Sequence, residues 1–433
     1  MEMKIFLSVA IALFAGLMLT RVFKKAGLNF PDVTAFLIAG LIIGPYGIGR
    51  FGLKGVGFST YQDIQSVNII NQTALGFIAF SIGSEFRLEE LKHTGKAATV
   101  IGIVQAVVAS LIVDIVLIAL HFVLGESVLP MTVAIVLGAI ASATAPAATL
   151  MVVRQYKADG PLTRFLLPIV ALDDAVGLVV FSISFGIAQA MQVGNLDVIS
   201  IIVNPILEIF FSLLLGGGLG FVLSKIEKLF YSNSNRLSMT ISFVLMTIAL
   251  SYLKIPVGPA EISFSALLVC MMLGTVFCNT SEYSGDIMRR SEKWTAPLNA
   301  TFFVLSGAAL ELNVFSNPVY VLIGITYILS RSFGKYMGAR LSAQAMNCPQ
   351  NVVKYLGITL LPQAGVALGM VNQAAALGGT TASIIRNVTL FGVLIYEMVG
   401  PLMTRNALRD AGEIAPIPAH KQDRERFQTT DRR

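Results

Sequence analysis

The stretch Phe165-Leu-Leu-Pro-Ile-Val-Ala-Leu-Asp-Asp-Ala-Val-Gly-Leu-Val-Val-Phe-Ser-Ile183 decides the fold class. It is long and apolar enough to cross a bilayer, yet it carries Asp173 and Asp174 side by side, with no other charge between Phe165 and Gln189. One ionised carboxylate at mid-membrane costs roughly 2.5 to 3.5 kcal/mol on insertion scales. Two neighbours also repel, so they should titrate as a coupled pair rather than as two ordinary aspartates. Packing alone does not account for such a pair. The residues point to a site inside the membrane that handles protons, cations or both.

Composition agrees with the bilayer reading. Of 433 residues 55% are hydrophobic and only 13% charged, against roughly 25% charged in soluble domains; the mean hydropathy is +0.75. Spanning segments are expected near 3–23, 31–49, 66–86, 97–122, 129–153, 163–190, 199–223, 237–254, 260–279, 294–315, 318–343, 353–377 and 384–406, about thirteen helices of bilayer length. The segment at 237–254 is short and the one at 260–279 opens on Pro259 and Glu261. Met1-Glu-Met-Lys precedes the first segment and no small-residue cleavage site follows it, so a membrane helix is expected there rather than a signal peptide. Residues 1–406 read as one transmembrane domain and 407–433 as a short tail rich in charge and proline.

A net charge of +6 would suit a nucleic-acid partner, but its placement argues against one. With the N-terminus outside, 17 basic residues fall in inner loops, including Arg21, Lys24, Lys25, Arg154 and Arg289, and the tail from Arg405 adds seven. Only Lys4, Arg50, Lys54, Lys254 and Arg386 fall outside. That bias is the positive-inside rule, which predicts a multi-pass cell-membrane protein with an outer N-terminus and a cytoplasmic C-terminus. Cys270 and Cys278 lie about 12 Å apart by helical rise, too far for a disulfide. No His or Cys spacing suggests a resident metal or a cofactor.

Two segments read as broken helices. Ala139-Ile-Ala-Ser-Ala-Thr-Ala-Pro-Ala-Ala-Thr149 contains Pro146, and Leu360-Leu-Pro-Gln-Ala-Gly-Val-Ala-Leu-Gly369 contains Pro362 and Gln363. Proline frees a backbone carbonyl, which at membrane depth must face protein, water or an ion. The breaks stand seven segments apart and so run in opposite directions, as an inverted repeat of six helices requires. Such paired breaks are the best sequence pointer to a secondary transporter's binding site.

Arg331 lies in an apolar run and needs an acidic or carbonyl partner. Adjacent helical residues point about 100° apart, so one of the two aspartates can pair with Arg331 while the other faces the breaks. Lys335, one turn on, is ambiguous, with snorkelling as the simple reading. Asp114, Glu208 and Glu397 are single acids to which the sequence gives no partner, and Glu85, Glu261 and Glu311 lie near segment ends. Gly216-Gly-Gly218 is expected to permit close helix packing.

At these residues the chain resembles the monovalent cation/proton antiporter superfamily, in its two-aspartate branch. Pro31-Asp-Val-Thr-Ala-Phe-Leu-Ile-Ala-Gly-Leu-Ile-Ile-Gly-Pro45, Phe302-Phe-Val-Leu-Ser-Gly307 and Glu397-Met-Val-Gly-Pro401 are family-like, and their order around Leu172-Asp173-Asp174 makes the likeness specific. The resemblance implies that Asp174 binds the cation or proton, that Asp173 pairs with the basic residue of the eleventh segment, here Arg331, and that Thr144 helps shape the site. It further implies a homodimer formed through helices 1–3 and 8–10, with helices 4–6 and 11–13 as a moving core. Ala145 stands where the other branch often has an aspartate, and Arg331 where many electrogenic members have lysine.

The expected function is therefore exchange of Na+ or another alkali cation for protons. Potassium/proton exchange is the alternative within the class, although 407–433 is too short for the nucleotide-binding domain such members commonly append. Sodium-coupled organic-anion symport is the alternative outside it. No nucleophile–base pair or phosphate loop supports an enzyme. With Arg331 permanently charged, one proton per cation and electroneutral exchange are expected.

Overall fold

Inside a bilayer every backbone polar group needs a partner within the protein, and the chain meets that demand almost wholly with helices. The computed structural model describes residues 2–27, 30–51, 57–84, 86, 88–193, 204–257, 260–310, 312 and 316–414. Its first half holds α1 (Glu2–Lys25), α2 (Asp32–Ile43), the short α3 (Tyr61–Gln65), α4 (Asn68–Ser84), α5 (Leu88–Leu124), α6 (Met131–Ile140), α7 (Pro146–Tyr156) and α8 (Pro161–Val193). Its second half holds α9 (Asn204–Ile226), α10 (Asn233–Ser251), α11 (Ala266–Thr280), α12 (Ser284–Ala308), α13 (Pro318–Ala345), α14 (Gln350–Thr359), α15 (Gly365–Ala374) and α16 (Gly379–Asp410). Among the described residues six helices, α1, α2 with the turn after it, α5, α8, α9 and α16, are long and apolar enough to cross a membrane by length and composition alone.

Each expected segment holds a helix, with instructive differences. Segments 129–153 and 353–377 each hold two half-helices, α6/α7 and α14/α15. The start expected at 260 is a hairpin instead: strand β1 (Ile255–Val257) pairs antiparallel with β2 (Ala260–Ile262), Pro256 opposite Glu261. Pro256 and Pro259 lack the amide hydrogens a helix needs, and Ser265 starts α11 by accepting from the amide of Leu268. α12 begins at Ser284, ten residues before the apolar run. The last helix, expected to end near 406, runs on to Asp410. Lys54, Glu85, Glu311 and residues 415–433 lie outside the described residues.

Packing relies on small residues, because lipid offers apolar side chains no worse a home than protein does. α13 lies against α5 where Gly334 faces Ala109 and Gly338 faces Gln105, and a Cβ at either glycine would come within 2.8 Å of the opposing Cα. Gly216 meets Val269 of α11 in the same way, as its run of glycines suggested, whereas Gly218 meets nothing. α5, α6 and α8 pack together and α5 packs onto α13, while α11 packs on α4 and α9, and α12 on α2 and α4.

Residues just past α16 fold back onto the start of α8. The Glu413 carboxylate accepts from the amides of Leu162 (2.5 Å) and Thr163 (2.8 Å) and from the Thr163 hydroxyl (2.7 Å). It thereby fills orphan donors at the N-terminus of the helix that carries Asp173. Glu413→Ala is expected to destabilise the fold by about 0.5–2 kcal/mol, the usual cost of a lost N-cap, and thermal unfolding in detergent checks it.

Candidate functional site

The two breaks cross and bond to each other. Residues 141–145 separate α6 from α7, and 360–364 separate α14 from α15. Pro146 does not kink a helix; it occupies the first turn of α7, where its missing amide hydrogen costs nothing. The Ala145 amide donates to the Pro362 carbonyl at 2.8 Å, and Gln363 Nε2 donates to the Ile140 carbonyl at 2.9 Å. Thr144 Oγ1 reaches the Leu360 carbonyl at 3.3 Å. Gln363 is held in place by the Tyr327 hydroxyl, and both are fully buried.

Asp173 is fully buried beside this crossing. Its Oδ2 lies 2.8 Å from Lys335 Nζ, and its Oδ1 accepts from Gln105 Nε2 at 2.5 Å. Lys335 Nζ also donates to Thr144 Oγ1 at 2.9 Å and to the Ser142 carbonyl at 2.5 Å. One ammonium thus ties α8 and α13 to the first break. Asp174 follows Asp173 on α8, about 100° round the helix; its side chain lies outside the described residues. Gly177, placed between the two aspartates around the helix, abuts Ser142 Oγ, so this face of α8 fronts the break.

The expected pairing of Asp173 with Arg331 is corrected. Arg331, also fully buried, gives its described hydrogen bonds to three carbonyls: Ala141 (3.0 Å), Ala143 (2.6 Å) and Leu361 (2.7 Å). Its guanidinium lies 4.5 Å from the centroid of the Tyr396 ring. The reason is chemical. A planar fork with five donors suits scattered carbonyls freed by two helix breaks, whereas a compact ammonium one turn further along suits a carboxylate. The premise of electroneutral exchange, a fixed guanidinium beside Asp173, therefore falls.

Sequence reasoning missed Lys335 as the partner, and it missed Gln105, Tyr327 and Ser142 altogether. Gln105 had a signal, being an amide inside an otherwise apolar stretch of α5. Of the single acids, Glu208 accepts from Ser263 at 3.3 Å. Asp114 Oδ1 sits where a Cβ on Gly138 would fall, with no hydrogen-bond partner among the described residues. None of the three cysteines, Cys270, Cys278 and Cys348, is in a disulfide among the described residues.

An ion pair enclosed at the crossing of two antiparallel broken helices is the arrangement of a secondary transporter. The family model described as sodium/hydrogen exchanger, transmembrane, matches residues 9–405. The chain belongs to the sodium/hydrogen exchanger family. Among curated proteins none matches the chain. Two solved structures of the sodium proton antiporter MjNhaP1 from Methanocaldococcus jannaschii share its fold. One, at pH 8, has a TM-score of 0.67 and 17% identity over 95% of this chain and 97% of that one. The other, an electron-microscopy map, has a TM-score of 0.70 and 19% identity over 94% and 98%. The exchanger is thus a multi-pass membrane protein and a cation/proton antiporter, not an enzyme.

Arg331→Lys keeps the charge at the crossing but gives up the fork. It is expected to leave at least one buried carbonyl without a donor and to cost about 1–3 kcal/mol, read as a lower melting temperature in detergent.

Proposed function

We propose that the exchanger moves Na+ against protons at Asp173 and Asp174 by alternating access. The observation that carries this reading is the buried Lys335–Asp173 pair, bonded to Thr144 at the crossing and followed at once by a second aspartate. Carboxylates, the Thr144 hydroxyl and freed carbonyls are the hard oxygen ligands an alkali cation takes in place of water. Potassium is the alternative cargo. Organic-anion symport gives way to antiport on family membership.

The proposed cycle balances as follows. Before cation binding Lys335 is an ammonium, Asp173 a carboxylate and Asp174 a carboxylic acid. Na+ arrives, Asp174 and Lys335 each release a proton, and both carboxylates hold the cation. A lysine can give up its proton in this way and an arginine cannot. Two protons then move against one Na+, and exchange carries net charge.

In this reading each broken pair is one crossing of thirteen, with the N-terminus outside and the C-terminus in the cytoplasm. Helices α5–α8 with α13–α16 form the moving core; α1, α2, α4 and α10–α12 form the scaffold and the surface of a homodimer. Packing of α8 and α13 on α5 on one side, and of α2 and α4 on α12 and of α11 on α4 on the other, supports this division.

Competition between cation and protons at the same carboxylates predicts that apparent Na+ affinity weakens as pH falls, while saturating Na+ restores the rate. Exchange measured in proteoliposomes over a grid of pH and Na+ concentration checks it. Acid that lowers the maximum rate and leaves the apparent affinity unchanged contradicts competition.

A further inference from the structure

Glu397 is another acid enclosed in the core, and the exchange chemistry above makes no use of it. It is 3% exposed, and its Oε2 has no hydrogen-bond partner among the described residues. Its place on α16 is set by two neighbours. Gly400 abuts the Pro362 ring of the second break, and Arg405 lies over the Tyr156 ring of α7. Helical geometry puts Glu397 on the face between those contacts, so it looks toward the start of α7 and the crossing. Thr404, two turns along the same face, is fully buried, and its hydroxyl is likewise unpartnered among the described residues. Buried polar atoms without protein partners are where ordered water is found.

The charged groups on the helices packed against α16 do not serve Glu397. From α13, Arg331 bonds carbonyls, Lys335 bonds Asp173 and the Tyr327 hydroxyl bonds Gln363. From α7, Arg154 pairs with Glu292 and Tyr156 stacks under Arg405. From α2, Asp32 pairs with Lys24, and from α14 Lys354 lies over Tyr355. α6 and α15 carry no titratable side chain. An ionised carboxylate in such a place is too costly to persist, so the group must hold a proton or a cation.

We propose that Glu397 is a further proton-binding site of the exchanger, distinct from Asp174 and Lys335, which exchanges one proton with water on one side of the membrane as the core changes state and adds nothing to the two protons exchanged per Na+. The step is a simple protonation: a proton from water joins the carboxylate oxygen and returns to water when the site is hydrated. The inference rests on the exchange reading above, and its test separates the two.

Na+-driven proton flux is measured in proteoliposomes across a pH series for the wild type and Glu397→Gln. The expected variant still exchanges, but the slope of log rate against pH falls by one. Purified Glu397→Gln in weak buffer also releases fewer protons than the wild type on addition of Na+. Equal slope and equal proton release would overturn the proposal and leave Glu397 a permanently protonated structural acid. Where Glu397→Gln fails to fold, infrared spectra of the wild type and Glu397→Asp decide. A protonated-carboxyl band that shifts with the substitution and titrates with pH supports the site; a band that does not titrate overturns it. Absence of Na+-driven flux in the wild type defeats the exchange reading itself, whereas the infrared titration needs no transport.

Discussion

Asp174→Asn is expected to abolish cation-driven proton flux while leaving a folded protein. The amide keeps the shape of the carboxyl group but removes the charge that Na+ and the proton share in the proposed cycle. The Lys335–Asp173 pair, its bond to Thr144 and the hydrogen bonds between the two breaks do not involve that side chain, so the melting temperature should stay near that of the wild type. Proton flux and Na+ binding are measured on the same preparation. Asp174→Asn that retains Na+-dependent flux would remove Asp174 from the mechanism.

The second large effect is at Lys335. Lys335→Met strands Asp173 in a fully enclosed place, and removing one partner of a buried pair costs about 3–5 kcal/mol. A large drop in melting temperature is expected, with Gln105 left as the one described donor to that carboxylate. Lys335→Arg is the sharper mechanistic probe. It preserves a positive partner but not one that can lose its proton. Wild-type exchange is expected to respond to membrane potential clamped with potassium and valinomycin, and Lys335→Arg to lose that response. Wild-type flux indifferent to the potential would return the account to one proton per cation.

Much of this architecture was legible in the chain. The two proline-containing runs marked both breaks, and Asp173, singled out as a charge in an apolar run, lies buried beside their crossing. Proline alone did not mark them: Pro168, Pro297 and Pro401 stand inside continuous helices. Small and polar residues flank both breaks, Ser142 and Thr144 in one and Gln363 and Gly365 in the other, but Thr295, Asn299 and Thr301 flank the unbroken Pro297 as well, so composition alone does not separate the cases. Hydropathy located the membrane-spanning parts but not the helix ends. α12 therefore starts ten residues early, through a polar run that helical propensity tolerates and the apolar window cannot register. The choice between Arg331 and Lys335 was illegible for a different reason. The two are one helical turn apart, and which of them is level with Asp173 depends on how α13 sits along α5. That register is set by Gly334 and Gly338 against Ala109 and Gln105, a contact between distant segments that no local pattern encodes.

The central claim, that this chain exchanges an alkali cation for protons, is tested most directly with purified protein in liposomes holding an internal pH dye. Li+, Na+, K+ and an organic anion are added outside in turn. Outward proton movement on addition of Na+, reversing when the Na+ gradient is reversed and absent with the organic anion, is the predicted result. Proton movement that no alkali cation drives, or Na+ entry that requires the organic anion, would contradict it.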